Sequence, residues 1–299
     1  MKKIAHILSA IDFSEPSLAA LDRAGLIARE QSAGLILFHG MNAMLFKSWP
    51  RGFDPLMPEL DSSIKNELRD KLAQLANQQH ALGAHSVSSV LAESSGVEAL
   101  VNTAKSHHAD LVIAGAHGSG YWHELFLGSF ISKLIAHNPV PTLVVKQSNP
   151  ATYKKVLIPV DFSQSTDSLI RAATAIAPSA KKILLHVVQT PHEGLMRLRD
   201  SSKERVDQYR KSCIDHAQTK LDELIDSIQD GSFTGKVLHH GYPPGEIISF
   251  QRDQQCDLVV IGKHGANQLS DLLVGSVTKL VLSNVSCDTL VTVDGKSAK

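Results

Sequence analysis

A repeat of about 147 residues is the feature that most constrains the fold of this chain. The segment IDFSEPSLAALDRAGLIA near the start is matched by VDFSQSTDSLIRAATAIA in the second half, and DLVIAGAHGSG is matched by DLVVIGKHGAN. Self-similarity of this kind indicates one structural unit used twice, and 299 residues supply enough chain for two cores. We therefore predict two domains, residues 1–148 and 153–295, separated by a polar stretch that contains proline.

Each half alternates short apolar runs with segments of helical periodicity. Strands are predicted near 6–12, 34–40, 85–92, 110–116 and 142–146, and again near 155–160, 182–188, 235–240, 257–262 and 289–293. This alternation predicts right-handed crossovers and a parallel sheet, so the fold class is α/β, with five strands per domain and helices on both faces. Ligands of such sheets bind beyond the carboxyl ends of the strands, where Asp12 and Asp161 lie.

Two glycine-rich loops have the same spacing, Gly-x2-Gly-x9-Gly-Ser, and each follows an apolar strand. They comprise Gly115, Gly118, Gly128 and Ser129 in the first half, and Gly262, Gly265, Gly275 and Ser276 in the second. Glycine lets backbone amides approach a ligand closely, and the Gly-Ser pair opens a helix whose free N–H groups favour an anion. The spacing predicts a phosphate cradle, with a plain strand-to-helix turn as the alternative.

These loops, the Asp-Phe-Ser that closes the first strand of each half and the His-Val that closes the second strand of the later half resemble the universal stress protein family. The resemblance covers nearly the whole chain, twice. It implies two tandem flavodoxin-like (adenine nucleotide α-hydrolase-like) domains with strand order 3-2-1-4-5. It also implies the branch of the family that binds ATP, with or without Mg²⁺. ADP and AMP stay open, because the loop reports a phosphate and not the number of phosphates.

The resemblance assigns roles to individual residues of the second domain. Asp161 and Val187 would contact the adenosine end; Gly262, Gly265, Gly275 and Ser276 would hold the phosphates, and Val277 would close the pocket. In the first domain the matching candidates are Asp12, Gly115, Gly118, Gly128 and Ser129.

The first domain departs from this pattern at two positions. Gly40 stands where the second domain has Val187, and Phe130 stands where it has Val277. Losing a valine-sized contact costs about 1–2 kcal/mol of apolar burial, or roughly tenfold in affinity. We therefore expect the second site to bind the nucleotide more tightly, and the first to be weak, empty or adapted to another ligand.

Several polar residues near these sites have a simpler interpretation beside the functional one. Asp12 and Asp161 also suit the capping of the next helix, and Ser14 and Ser163 are predicted as helix N-caps. His39 and His186 close apolar strands and are predicted as core or pocket-edge residues. The chain has no HExxH or CxxC pattern, so no metal site is predicted.

The composition of the chain limits the kinds of partner that it can bind. Lys and Arg together equal Asp and Glu at 30 each, so no overall field attracts nucleic acid or an anionic membrane, and the apolar runs are too short to span a bilayer. Three cysteines without a paired spacing favour a reducing cytoplasm. The family resemblance further implies that the last strands of the two domains associate and that two chains form a homodimer.

We predict a nucleotide-binding protein with a regulatory or stress-survival role and no assigned catalytic residue. Two alternatives stay open at this stage. One is slow ATP hydrolysis, against which no general base with an orienting partner stands out. The other is a protein-binding scaffold whose nucleotide sites are vestigial.

Overall fold

The computed structural model describes residues 3–41, 57–117, 128–199, 202–228, 231–265 and 273–293. Their contacts divide the chain into two compact units, of which the first ends at Thr152 and the second begins at Tyr153. Each unit combines helices with a parallel sheet, so the predicted α/β fold class is confirmed.

The first unit contains β1 (His6–Ala10), α1 (Glu15–Gln31), β2 (Gly34–Gly40), α2 (Met57–Ala81), β3 (Ser86–Ala92), α3 (Val97–Ser106), β4 (Leu111–Gly115), α4 (Ser129–His137) and β5 (Thr142–Val145). Its strands are hydrogen-bonded in the order β3-β2-β1-β4-β5, and every pair is parallel. The strand order reverses direction between β1 and β4, which is where a doubly wound sheet opens its ligand crevice.

The second unit contains β6 (Lys155–Pro159), α5 (Thr166–Ile176), β7 (Lys181–Val188), α6 (Glu193–Leu198), α7 (Lys203–Ser227), β8 (Phe233–His240), α8 (Pro243–Asp253), β9 (Leu258–Gly262), α9 (Ser276–Asn284) and β10 (Asp288–Thr292). Its strand order is β10-β9-β6-β7-β8, again parallel throughout. Counted within the unit, this is the same 3-2-1-4-5 order as in the first.

The core of each unit is built on its central strands. All five residues of β4 and all five of β9 are buried, which requires cover on both faces of the sheet. The outer strands β3 and β8 are only partly buried. The mixed runs of the sequence therefore mark one edge of each sheet, at β3 and β8.

An aspartate at the amino end of each sheet joins two neighbouring strands. Asp110 Oδ2 accepts the backbone N–H groups of Ala5 and His6 at 2.9 and 3.2 Å. Asp257 accepts those of Lys154 and Lys155 at 2.7 and 3.1 Å. Because β1 and β6 begin here, each carboxylate satisfies amides that no neighbouring strand reaches and fixes where its strand starts.

The two units differ at the helix that follows their first strand. Helix α1 has Ser14 as its N-cap, as predicted, and the Ser14 hydroxyl accepts the N–H of Ser17. The cap predicted at Ser163 is wrong, because α5 begins only at Thr166, after Ser165. The first unit has Pro16 in the first turn, where its fixed φ favours helix, and the second unit has no proline there.

Helix α6 is a short helix of six residues between β7 and α7. The Glu193 carboxylate at its start accepts from Thr190 Oγ1 at 2.9 Å and pairs with Arg197 and Arg210. Hydrogen bonds from Arg210 and Thr190 lower the pKa of this carboxyl to about 2. The short helix is thus held by side chains from both of its flanks, a contribution that periodicity alone does not reveal.

Replacing the aspartate that fixes β6 should destabilise the protein. The change Asp257→Ala leaves the N–H groups of Lys154 and Lys155 without their carboxylate, and we expect the free energy of unfolding to fall by about 1–2 kcal/mol. Urea denaturation followed by circular dichroism measures the loss. Asp253→Ala is the control, because Asp253 makes only an exposed ion pair with Arg252 and should change stability by less than about 0.5 kcal/mol. Equal effects of both changes would contradict this role of Asp257.

Candidate functional site

The Asp-Phe-Ser turns lie at the carboxyl ends of β1 and β6 and have the same geometry. The Asp12 and Asp161 carboxylates accept the N–H of Ser14 and Ser163, each at 3.0 Å. The residues between them, Phe13 and Phe162, adopt φ values of +63° and +57°. A left-handed backbone is unfavourable for a bulky residue, so this strain must be compensated by the surroundings.

The compensation comes from the histidine that closes the neighbouring strand. His39 Nδ1 lies 2.7 Å from the carbonyl oxygen of Ile11, and its ring stacks on Phe13 with centroids 4.8 Å apart. His186 bonds the carbonyl of Val160 at 2.8 Å and stacks on Phe162 at 4.3 Å. A carbonyl only accepts, so Nδ1 carries the proton and the ring is held in one tautomer. Both histidines therefore hold the aspartate turn in place, and His39 also lines a cavity of the first unit.

The glycine loop of the second unit packs against this turn. A Cβ placed on Gly265 would lie 3.0 Å from Asp161 Oδ2, and one on Gly262 would lie 2.9 Å from the carbonyl oxygen of His264. Gly275 donates its N–H to the Lys263 carbonyl at 2.9 Å. The structure thus brings Gly265 beside Asp161, and at Gly262 the loop backbone leaves no space for a side chain.

The helix after each loop presents an uncapped amino end. Helix α9 follows Gly275, and α4 follows Gly128, in both cases without a side-chain cap. Thr278 Oγ1 donates to the carbonyl of Gly262 at 2.7 Å and fixes α9 against the end of β9. Ser276 and Ser129 are exposed at the first helical positions. The first-turn amides of both helices therefore lack a side-chain acceptor, which is the arrangement that favours an anion.

Four buried side-chain polar atoms of the second unit have no hydrogen-bond partner among the described residues. Thr289 Oγ1 and Thr292 Oγ1 lie on β10, whereas Thr166 Oγ1 lies at the start of α5 and His264 Nε2 lies inside the glycine loop. In the first unit the corresponding Ser17 hydroxyl is fully engaged, donating to Ser14 O at 2.9 Å and accepting from Asp12 N at 3.3 Å. Buried polar groups are nearly always paired, so Thr166 Oγ1 and His264 Nε2 fit a site that takes a ligand with polar groups.

The first unit has a cavity of about 280 Å³ at the corresponding place. Asp12, His39, Phe38 and Phe130 are among its walls. Gly40 also lines this cavity, and a Cβ there would lie 2.9 Å from the carbonyl oxygen of Ser94, so the backbone that follows β3 leaves no room for a side chain at this position. The second unit has the buried Val187 here. Gly118 lies outside the described residues.

The sequence analysis missed a lysine beside the second site. The Lys220 ammonium, on α7, lies 5.8 Å from the centre of the Phe162 ring, a cation–π distance. The corresponding lysine of the first unit, Lys71, is instead paired with Glu67 at 2.7 Å. Each lysine directly precedes a buried leucine of its helix. The residue four positions earlier is Glu67 in the first unit and His216 in the second. Comparing the two copies at this position could have revealed the difference.

A comparison with known protein families divides the chain into the same two halves. The model of the universal stress protein family matches the chain twice, over residues 3–146 and 152–292. The chain belongs to the universal stress protein family. The tandem organisation predicted from the repeat is thereby confirmed.

Relatives of this universal stress protein cover one half of it at a time. MJ0531 from Methanocaldococcus jannaschii is 30% identical over 142 residues, which is 46% of this chain and 81% of the relative. MJ0577 from the same organism is 27% identical over 152 residues, 46% of this chain and 94% of the relative. A universal stress protein from Archaeoglobus fulgidus has the same fold over 98% of both chains, with a TM-score of 0.69 and 16% identity.

In the part of this universal stress protein that the structure describes, no group of three or more His, Cys, Asp or Glu side chains is arranged to hold a metal ion. No helix in that part is long and apolar enough to cross a membrane. Cys256 and Cys287 are free and buried. Burial raises the pKa of the Cys256 thiol to about 11, so this thiol stays protonated at neutral pH.

The pH dependence of stability should report the burial of His186. Burial lowers the pKa of His186, and the Lys220 charge acts in the same direction against the Val160 hydrogen bond and Asp161. An unfolded histidine titrates near pH ~6.5, so as pH falls below that value the unfolded chain takes up a proton first. We expect stability to be complete above this pH and to decrease below it. His186→Gln should flatten that decrease in urea denaturation across pH, and identical slopes for both proteins would contradict the assignment.

Proposed function

We propose that the second unit binds an adenine nucleotide, with ATP as the first candidate. The observation that carries the proposal is the packing of the Gly262–Gly265 segment against Asp161, beside the uncapped amino end of α9. Such a site offers backbone amides and a helix dipole to phosphate, and a carboxylate and apolar wall to the rest of the ligand. Two of the unpaired buried atoms, Thr166 Oγ1 and His264 Nε2, add hydrogen-bonding capacity that a nucleotide would satisfy.

Each residue of the second unit has a defined task in this proposal. The exposed Asp161 carboxylate accepts from donors of the adenosine end, and Val187 supplies an apolar surface. Gly262, Gly265 and Gly275 keep side chains away from the phosphates, and Ser276 adds a hydroxyl donor. Val277, half-buried in the first turn of α9, closes the pocket. Mg²⁺, where present, would be brought by the phosphates.

The first unit keeps the same frame and is proposed as the weaker nucleotide site. Asp12, Gly115, Gly128 and Ser129 occupy the matching positions. The Cβ of an alanine at Gly115 would lie 2.6 Å from the carbonyl oxygen of Pro16, so this glycine is also required for packing α1 on β4.

We infer a regulatory role in stress survival for the nucleotide from the family to which the chain belongs. The nucleotide would act by shifting the protein between states that differ in affinity for it. A cytoplasmic location is proposed with it, in keeping with the three free cysteines. The association of the last strands and the homodimer stay predictions from the family resemblance.

The decisive experiment is to denature the purified protein and to identify and count the released nucleotide by chromatography and mass spectrometry. We expect an adenine nucleotide at a ratio near one per chain, because the second site combines all the features above. No nucleotide, followed by no binding in an ATP–Mg²⁺ titration, would overturn the proposal and leave a tandem scaffold.

The glycine loop can be tested with a matched pair of variants. Gly275→Ala places a methyl group 3.3 Å from the Lys263 carbonyl, in the proposed cradle, and should weaken ATP binding at least about tenfold, or ~1.4 kcal/mol. Gly128→Ala introduces the same change in the first unit, 3.4 Å from the Ala116 carbonyl, and should leave the stronger site unaffected. If both variants bind ATP equally well, the loop is a structural turn.

Lys220 offers a second matched pair. Its ammonium lies beside the Asp161 turn, so Lys220→Gln should weaken ATP binding about threefold to tenfold and reduce its salt dependence. Lys71→Gln removes a lysine that is already paired with Glu67 and should have no effect on ATP affinity. Isothermal titration calorimetry at two ionic strengths distinguishes the outcomes, and equal effects of both changes would exclude a specific role for Lys220.

A further inference from the structure

The cavity of the first unit differs from the second site in the residue at its helix end. Phe130, the second residue of α4, lines the cavity, whereas the second unit has Val277 in this place. Phe130 and its neighbours Gly128 and Ile131 line the cavity at the amino end of α4, where the larger ring takes more space than a valine would. A volume of about 280 Å³ is just below the usual range for ligand pockets, roughly 300–1,000 Å³. The cavity therefore suits a small ligand.

The charge around the cavity also disfavours phosphate. Among the described residues that line it, Asp12 is the only acid, and none is lysine or arginine. The nearest counterpart of the second site's Lys220 is Lys71, whose charge is compensated by Glu67. A polyphosphate here would face a carboxylate without a side-chain cation, and like charges at short range repel.

The second unit has the opposite charge pattern at the corresponding positions. Lys220 makes no ion pair with any residue in the described ranges and lies over Phe162. Lys263, beside the first glycine of the loop, stands where the first unit has Ala116, one of the cavity walls. The two copies of the repeat thus share the aspartate turn but differ in the lysine that follows the first loop glycine and in the pairing of the lysine on the long helix.

We propose that the cavity of the first unit binds an uncharged purine nucleoside in preference to a nucleotide. The inference rests on the proposed function, because the cavity is the counterpart of the adenine-nucleotide site proposed in the second unit, with the same aspartate turn. The apolar walls, including Phe38 and Phe130, would pack on the flat ring system, and Asp12 would accept from its donor groups. The chain would then hold a phosphorylated and an unphosphorylated form of one ligand class on separate units.

The test is calorimetric titration of adenosine into the full chain that has first been saturated with ATP–Mg²⁺. We expect adenosine to bind once per chain without displacing ATP, and ATP alone to occupy the first unit at least roughly tenfold more weakly than adenosine does. Phe130→Trp should abolish adenosine binding by filling the cavity.

Exchanging the residues of the two units tests the role of position 130 without filling the cavity. Phe130→Val introduces the residue of the second unit and should allow a second ATP to bind per chain. The reciprocal change, Val277→Phe, should weaken ATP binding in the second unit. Thermal unfolding by circular dichroism confirms that each variant is folded.

The outcomes separate the two proposals. Two ATP molecules bound with equal affinity by the unmodified chain, or no adenosine binding beside ATP, would overturn the nucleoside inference and leave the nucleotide function intact. Adenosine binding that depends on Phe130, in a chain that binds no ATP, would support the nucleoside inference and reject the nucleotide function.

Discussion

The complete burial of β4 and β9 is the constraint on which the rest of each unit depends. Because every residue of these strands is buried, each sheet must be covered on both faces, and parallel strands joined by helices satisfy that requirement. Parallel strands place their carboxyl ends at one edge. The aspartate turn, the strand-closing histidine and the glycine loop, which are far apart in sequence, therefore meet at one place in each unit.

At that edge the backbone is held in a conformation that it would not adopt alone. Phe13 and Phe162 have positive φ values, and each is stacked on a histidine that also bonds the carbonyl before the aspartate. The same set of contacts occurs in both units. A strained turn that is retained twice, with the same support, is better explained by the position it gives to Asp12 and Asp161 than by stability.

The two units have the same backbone arrangement but differ in a few side chains. Shared features are the strand order, the amide-binding aspartates Asp110 and Asp257, and the uncapped helices after the glycine loops. The differences lie in single residues: the first unit has Phe130 and the ion-paired Lys71 where the second has Val277 and Lys220. The two copies of the repeat thus share a scaffold and differ in these side chains.

The sequence by itself determined the repeat, the fold class and most strands, because apolar runs and glycine spacing are local patterns with direct structural meaning. It also predicted Asp161 and the glycines of the second loop as candidate site residues, which stays a prediction. Only the tertiary structure decided how Gly40 is covered, since the backbone at Ser94 comes from a distant strand end. It likewise decided the late start of α5, the pairing of Glu193 with Arg210 and the position of Lys220 over Phe162. These depend on contacts between segments far apart in the chain, which no local pattern records.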